Sequence, residues 1–152
     1  MEDKRQEIVA ELQRAYAAEL ETVQNYLANS IDLDGVRAEE IKKSLAADIQ
    51  EELGHAMTLA RRMKVLGGRV PGSLQLEREQ DYMQPPKDPT DLISVIKGVI
   101  RAEDSAIAQY EKLIQLCDQL DYVTQDTAIG ILRDEQEHRR TFLGFLTEFE
   151  RH

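Results

Sequence analysis

Two Glu-x-x-His motifs, Glu52-x-x-His55 and Glu135-x-x-His138, sit within apolar stripes of long helical segments, and this constrains the fold more than any other feature. Four segments carry a helical period: A from about Asp3 to Ser30, B from about Val36 to Leu66, C from about Thr90 to Leu120, and D from about Tyr122 to Phe149. The stripe of A reads Ile8, Leu12, Ala15, Glu19, Val23, Tyr26, and that of B reads Ile41, Leu45, Ile49, Glu52, Ala56, Leu59, Met63, with His55 beside Glu52. C contributes Ile96, Ile100, Glu103, Ile107, Tyr110, Ile114, and D contributes Ala128, Leu132, Glu135, His138, Phe142, Phe145. Steps of three and four residues put each set on one helix face. Leu, Ala, Ile, Glu and Arg dominate, and only 5% of residues are aromatic, which favours helix over strand. At 152 residues the chain has the size of one domain, expected to span 1–152 as a single all-α unit.

The punctuation sets the topology. Asp32-Leu33-Asp34-Gly35 is a short turn between A and B, and Gly67-Gly68 with Pro71 is a helix stop after B. Pro85, Pro86 and Pro89 keep the next stretch non-helical, Asp88 or Thr90 is positioned to cap C, and Asp121 or Thr124 to open D. The short A–B and C–D turns make antiparallel pairs. The long connection from Gly67 to Pro89 must then travel the length of the bundle, which predicts an up-down-down-up four-helix bundle with one long B–C crossover.

Each helix thus points a carboxylate into the core, near the middle of its segment, and midpoints of antiparallel helices share one layer. Isolated buried carboxylates are costly without a partner, and no Lys or Arg lies on the stripes at that level. Divalent metal ions neutralise such a cluster economically. In Glu-x-x-His the two side chains lie one turn apart on one face, so the Glu can bridge two metals while the His caps one. Mixed oxygen and nitrogen donors suit iron or manganese. One such motif is weak evidence, because Glu and His are ordinary on helix surfaces. Two copies on partner helices, joined by Glu19 and Glu103 at matching depth, form a specific pattern. The metal ligands expected are Glu19, Glu52, His55, Glu103, Glu135 and His138. Tyr26, two turns after Glu19, reads either as a core aromatic or as a group beside the metals, and Tyr110 stands in the same relation to Glu103. Asp48, one turn before Glu52, is a possible outer partner. Glu51, Asp134 and Glu137 lie off the stripe and read as solvated, and Met57 and Met63 read as core fillers.

The net charge of −10 attracts cations and disfavours nucleic acid and anionic membrane as partners. The polar Met1–Gln6 stretch does not read as a secretory signal, and no apolar run reaches membrane-spanning length. The single cysteine, Cys117, excludes an internal disulfide or a Cys-based metal module, and a cytoplasmic setting is expected.

The pattern Glu19, Glu52-x-x-His55, Glu103, Glu135-x-x-His138 resembles the ferroxidase centre of bacterioferritins and the wider ferritin-like superfamily. The likeness is greatest in helix D, from Asp121-Tyr122-Val123-Thr124 through Ile131-Leu132-Arg133-Asp134-Glu135-Gln136-Glu137-His138, and Glu19 followed by Tyr26 also fits. The resemblance implies two iron ions per subunit, with Glu52 and Glu135 bridging, Glu19 and Glu103 terminal, and one iron on each histidine. It implies Fe(II) oxidation by oxygen or hydrogen peroxide, for iron storage or detoxification, in a homo-oligomer. Three features depart from the family. Leu53 stands where bacterioferritins carry their haem-ligating Met, so haem is not expected. The chain stops three residues after Phe149, without the short fifth helix that helps close a large shell, and the crossover is long with a Pro-rich end. The alternative is a di-iron or di-manganese oxidoreductase on the same bundle, such as a rubrerythrin-like peroxidase or an oxygenase. A DNA-protecting, Dps-like protein places its metals between subunits, which fits the intact six-residue set less well.

Overall fold

The computed structural model describes residues 2–151, so His152, read from the sequence as a frayed terminal residue, lies outside the described residues. Four helices form the bundle: α1 (Glu2–Asp32), α2 (Glu39–Val65), α3 (Leu92–Cys117) and α4 (Tyr122–Glu150). Three short 3-10 turns, Val36–Ala38, Ser73–Gln75 and Asp81–Met83, punctuate the connections, and there is no strand among the described residues. Tyr26 reaches Glu103 and Tyr110 reaches Glu19, so α1 and α3 are antiparallel neighbours. Glu51 meets His138 and Asp134 meets His55, which makes α2 and α4 antiparallel as well. The order is therefore up, down, down, up. No described helix is long and apolar enough to cross a membrane.

The helix ends follow from local chemistry. At the end of α2, Gly67 takes φ +85°, its N–H donates to the Lys64 carbonyl, and Gly68 N–H donates to Met63. These bonds satisfy carbonyls that the last helical turn leaves open. Asp121 caps α4: its Oδ1 accepts from Thr124 N–H at 3.0 Å and from Arg62 at 3.3 Å. Helix α3 is capped by Asp91, whose Oδ1 accepts from Ser94 N–H at 3.1 Å, rather than by Asp88 or Thr90. Asp88 instead accepts from the backbone and hydroxyl of Thr90, closing a local turn ahead of the helix. Segment B starts three residues later as an α-helix than its sequence pattern indicates, because Val36–Ala38 forms a 3-10 turn after Gly35, at φ +104°.

The core is split in two. One apolar cluster gathers Leu33, Ile41, Leu45, Ile96, Val99 and Phe142, and the other gathers Leu12, Leu59, Met63, Leu113, Cys117 and Ile131. Each fully buried Leu, Ile or Phe contributes about 1.5–3 kcal/mol relative to exposure. Met63 is buried, whereas Met57 is half exposed on the outer side of α2 and is not a core residue.

The crossover lies along α1, tied by a ladder of polar side chains. Gln13 donates to the Arg69 carbonyl at 2.9 Å, and Glu21 accepts from the backbone N–H groups of Glu79 and Gln80. Gln80 is buried and bonded to Thr22 at 2.7 Å and Asn25 at 3.1 Å, and Asn29 donates to the Met83 carbonyl at 3.0 Å. The far end seats on α3 at Gly98, where a Cβ would come 2.4 Å from the Tyr82 carbonyl oxygen. Gly98→Ala must therefore displace the crossover and is expected to destabilise the fold by ~1–3 kcal/mol. The same change at Gly144, an exposed helical position where an added Cβ would meet nothing within 4 Å, is expected to stabilise by ~0.5–1 kcal/mol. Urea unfolding of both variants checks the opposite signs.

Candidate metal centre

Between the two apolar clusters lies a polar layer built from all four helices. Glu19 comes from α1, Glu52 and His55 from α2, Glu103 from α3, and Glu135 and His138 from α4. Their apolar neighbours one turn away pin each helix by its stripe, so these side chains are held facing inward. Exposure ranges from 1% for Glu52, Glu103 and Glu135 to 7% for His55, so the layer is largely shielded from water. The structure brings all six sequence-expected residues together in two overlapping quartets. Glu19, Glu52, His55 and Glu135 offer donor atoms within 4.8 Å of one another, and so do Glu52, Glu103, Glu135 and His138. Glu52 and Glu135 belong to both quartets and lie between them.

Each of the six presents one buried atom with no hydrogen-bond partner: Glu19 Oε2, Glu52 Oε1, His55 Nδ1, Glu103 Oε2, Glu135 Oε1 and His138 Nδ1. Buried polar atoms are almost always satisfied, so six unpartnered atoms facing one point fit a cationic partner. His55 Nδ1 stands 3.0 Å from Glu135 Oε1, and His138 Nδ1 stands 3.0 Å from Glu52 Oε1, both without hydrogen-bond alignment. Four carboxylates and two imidazoles at this spacing fit a pair of divalent ions such as iron or manganese.

The outer atoms of four of the six, Glu19, Glu103, His55 and His138, are held from behind. Tyr26 O–H donates to Glu103 Oε1 at 2.7 Å, and Tyr110 O–H donates to Glu19 Oε1 at 2.6 Å. Burial, aided by the surrounding carboxylates, pushes both phenols well above their ordinary range, so both remain donors. Tyr110 therefore stands on the same footing as Tyr26. Nε2 of His55 bonds Asp134 at 2.8 Å, and Nε2 of His138 bonds Glu51 at 2.8 Å. These carboxylates turn Nδ1 of each ring toward the centre and fix its tautomer. Asp48 lies 3.4 Å from His138 Nε2. Glu51 and Asp134 read as solvated from the sequence, but each is half exposed and spends its other side on a histidine. The signal that reveals them is the near-constant offset that maps Glu51-Glu52-x-x-His55 onto Asp134-Glu135-x-x-His138 and Glu19…Tyr26 onto Glu103…Tyr110. Glu137 is exposed.

Without a metal the layer neutralises itself with protons. Burial alone would push the His138 imidazole down, but the carboxylates of Glu103, Glu52, Asp48 and Glu51 outweigh it and hold the group up to about 12. His55 is likewise raised, its burial outweighed by Glu52 and Asp134. Glu135 is raised by burial and by the Glu103 and Glu52 carboxylates, whereas Glu52 is lowered to about 2 because both imidazoles and Glu135 outweigh its burial. Groups raised by folding stabilise the fold below their unfolded values and lose that contribution as pH rises. The raised histidines therefore make metal-free protein less stable from about pH 6.5 upward, while Glu52 acts only below its unfolded value near 4.5. Metal ions must displace these protons, so their binding strengthens with pH. Melting of chelator-treated protein is expected to fall in temperature between about pH 6.5 and 9, while the stabilisation added by Mn(II) widens over the same interval. A chelated protein that gains stability across this range would contradict the proton-filled layer.

A family model for the ferritin-like domain matches residues 9–152. The DNA protection during starvation protein of Pyrococcus furiosus is 30% identical over 139 residues, covering 88% of this chain and 74% of that protein. A bacterioferritin from Desulfovibrio desulfuricans is 25% identical over 138 residues, covering 90% of this chain and 73% of its own length. In solved structures, a dodecameric thioferritin, the bacterioferritin-related protein from Bacteroides fragilis, superposes with a TM-score of 0.88 at 24% identity, covering 97% of this chain and 88% of that one. That last likeness is one of fold. With the family model spanning nearly the whole chain and a bacterioferritin among its relatives, the protein belongs to the ferritin-like superfamily.

Proposed function

We propose that the chain is a ferroxidase that oxidises Fe(II) to Fe(III) at an intra-subunit pair of iron sites, using oxygen or hydrogen peroxide. The observation that carries this reading is the set of six unpartnered buried atoms, one from each of Glu19, Glu52, His55, Glu103, Glu135 and His138. In this reading Glu52 and Glu135, which belong to both quartets, would serve both irons, Glu19 and Glu103 would each complete the shell of one, and each histidine would hold one iron through Nδ1. Two adjacent Fe(II) ions supply one electron each to a two-electron oxidant, which is the chemistry such a pair offers.

The protein's own work is positional. Tyr26 and Tyr110 clamp the outer oxygens of Glu103 and Glu19, leaving their inner oxygens free for metal. Asp134 and Glu51 hold the imidazoles in register and raise their basicity. Four carboxylates balance the charge of two Fe(II) ions and favour the added charge of Fe(III) after oxidation. The net charge of −10 concentrates cations near the surface. A homo-oligomer fits the family, and the product would be stored within a shell or released as detoxified iron. Manganese in place of iron, on the same ligands, would turn the centre toward peroxide chemistry.

Fe(II) added in air to metal-free protein is expected to oxidise fast and to saturate near about two irons per chain. Glu52→Ala should lose the fast phase. Oxidation by wild-type protein no faster than in buffer would sink the ferroxidase reading. Asp134→Ala removes an outer partner from a half-exposed position and is expected to weaken metal affinity about 10–100-fold with the fold intact. Competition with a chelator of known affinity measures it, and unchanged affinity would deny Asp134 its orienting role.

A further inference from the structure

A cleft of about 730 Å³ lies beneath the crossover, between α1 and α3. The facing helices carry short side chains there, Ala17 and Ala18 on α1 and Ala102 and Ala106 on α3, which leaves the room. Its ionisable lining is one-sided, with seven glutamates against two arginines. One of the arginines, Arg14, is already paired with Glu11 at 2.9 Å. Glu19, Glu52, Glu103 and Glu135 form the inner part of the lining, and each carries a buried oxygen without a hydrogen-bond partner. Glu21, Glu77 and Glu79 belong to the outer part, and the last two are exposed. The Glu21 carboxylate accepts from the backbone N–H groups of Glu79 and Gln80. Residue 21 lies only about 3 Å along the helix axis from residue 19. That bond therefore sets the crossover, with Glu77 and Glu79 on it, over the level of the carboxylate layer.

We propose that this cleft is the route by which Fe(II) reaches the metal centre, and that Glu77 and Glu79 on the crossover are the residues that draw it in. A cleft lined by one sign of charge between low-dielectric walls focuses its field and raises the local concentration of the opposite ion. Water takes about 30 Å³ per molecule, so the cleft has room for a divalent ion that still carries a hydration shell. The side chains of Glu77 and Glu79 make no hydrogen bond or ion pair among the described residues, and Glu79 is held through its backbone alone, so both carboxylates are free to meet a cation. Farther in, the unpartnered oxygens of the four buried glutamates take over from water. The other approach, between α2 and α4, is closed by hydrogen bonds: Asp134 and Glu51 each hold a histidine Nε2 at 2.8 Å, and an ion coming that way must part these pairs. Neither histidine lines the cleft. The inference rests on the ferroxidase reading for the identity of the ion, and on the cleft lining for the route.

The test follows Co(II) binding to metal-free protein by stopped-flow absorbance, which reads arrival at the centre without any oxidation. At low ionic strength the double variant Glu77→Gln/Glu79→Gln is expected to bind about three- to tenfold more slowly than wild type, with the same final amount of Co(II) per chain. The difference should shrink as salt is added. Ala106→Phe, which fills the cleft, is expected to bind slowly at every salt concentration, and circular dichroism establishes that it folds. A control pair away from the cleft, Glu40→Gln/Glu148→Gln, removes the same charge from exposed positions and should bind at the wild-type rate. Wild-type rates in the Glu77→Gln/Glu79→Gln protein at low salt, or equal slowing by the control pair, would overturn the role of the two glutamates. A wild-type rate in folded Ala106→Phe would overturn the route itself. Fe(II) oxidation by wild-type protein separates this inference from the function it rests on. Fast oxidation with unaltered Co(II) arrival in the cleft variants removes the route and leaves the ferroxidase. Slowed Co(II) arrival in those variants without fast oxidation in wild type keeps the route for divalent cations and removes the ferroxidase.

Discussion

Four carboxylates removed from water at one level of the bundle set the terms for everything around them. Each costs several kcal/mol when buried without compensation, and no Lys or Arg forms an ion pair with any of them among the described residues. The two apolar clusters above and below hold the layer in place, as two clamps on either side of a polar plane. Protons on the histidines and on Glu135 provide partial neutralisation, and divalent ions would provide it more fully. The bundle is thus apolar at its two ends and charged at its middle.

Much of this was legible in the sequence because it depends on period and spacing. The steps of three and four that carry Glu19, Glu52, Glu103 and Glu135 onto apolar stripes also force them into one layer once short turns fix the helix pairs. The glycine stop after α2 and the Asp121 cap follow from backbone geometry that only certain residues satisfy. The features that period and spacing hide are polar and tertiary. Thr22 and Asn25 meet the Gln80 side chain and Asn29 meets the Met83 carbonyl, so all three interrupt the simple pattern of α1 for the crossover, a partner that no helical period announces. Glu51 and Asp134 looked solvated because each sits one residue before a core Glu, yet a carboxylate at the edge of a stripe can still reach a ring nitrogen on the neighbouring helix. Asp91 won the cap of α3 over Asp88 and Thr90 because those two satisfy each other first.

The long crossover now has a physical account. It joins two helices that run in the same direction, so it must span the bundle, and it does so as a strap rather than a free loop. Its backbone polar groups are met by Gln13, Glu21 and Asn29 of α1, which spares them burial without partners. Its packing on Gly98 ties it to α3 as well. The strap spans the gap between α1 and α3, lined by Ala17, Ala18, Ala102 and Ala106, and so turns a surface groove into a partly covered cleft.

The bundle repeats itself, with α1–α2 and α3–α4 each supplying a Glu, a Tyr and an acidic-Glu-x-x-His run, but the repeat is broken at one place. Asp48 stands one turn before Glu52 and approaches His138, and the matching position in the second half is Ile131, an apolar core residue. Asp48 is raised by burial to about 6, so it is mostly ionised at neutral pH. The His138 side therefore faces one more negative charge than the His55 side. Were metal ions to fill the layer, the electrostatics would rank the two ends of it, favouring the His138 end as the first to fill and the last to empty.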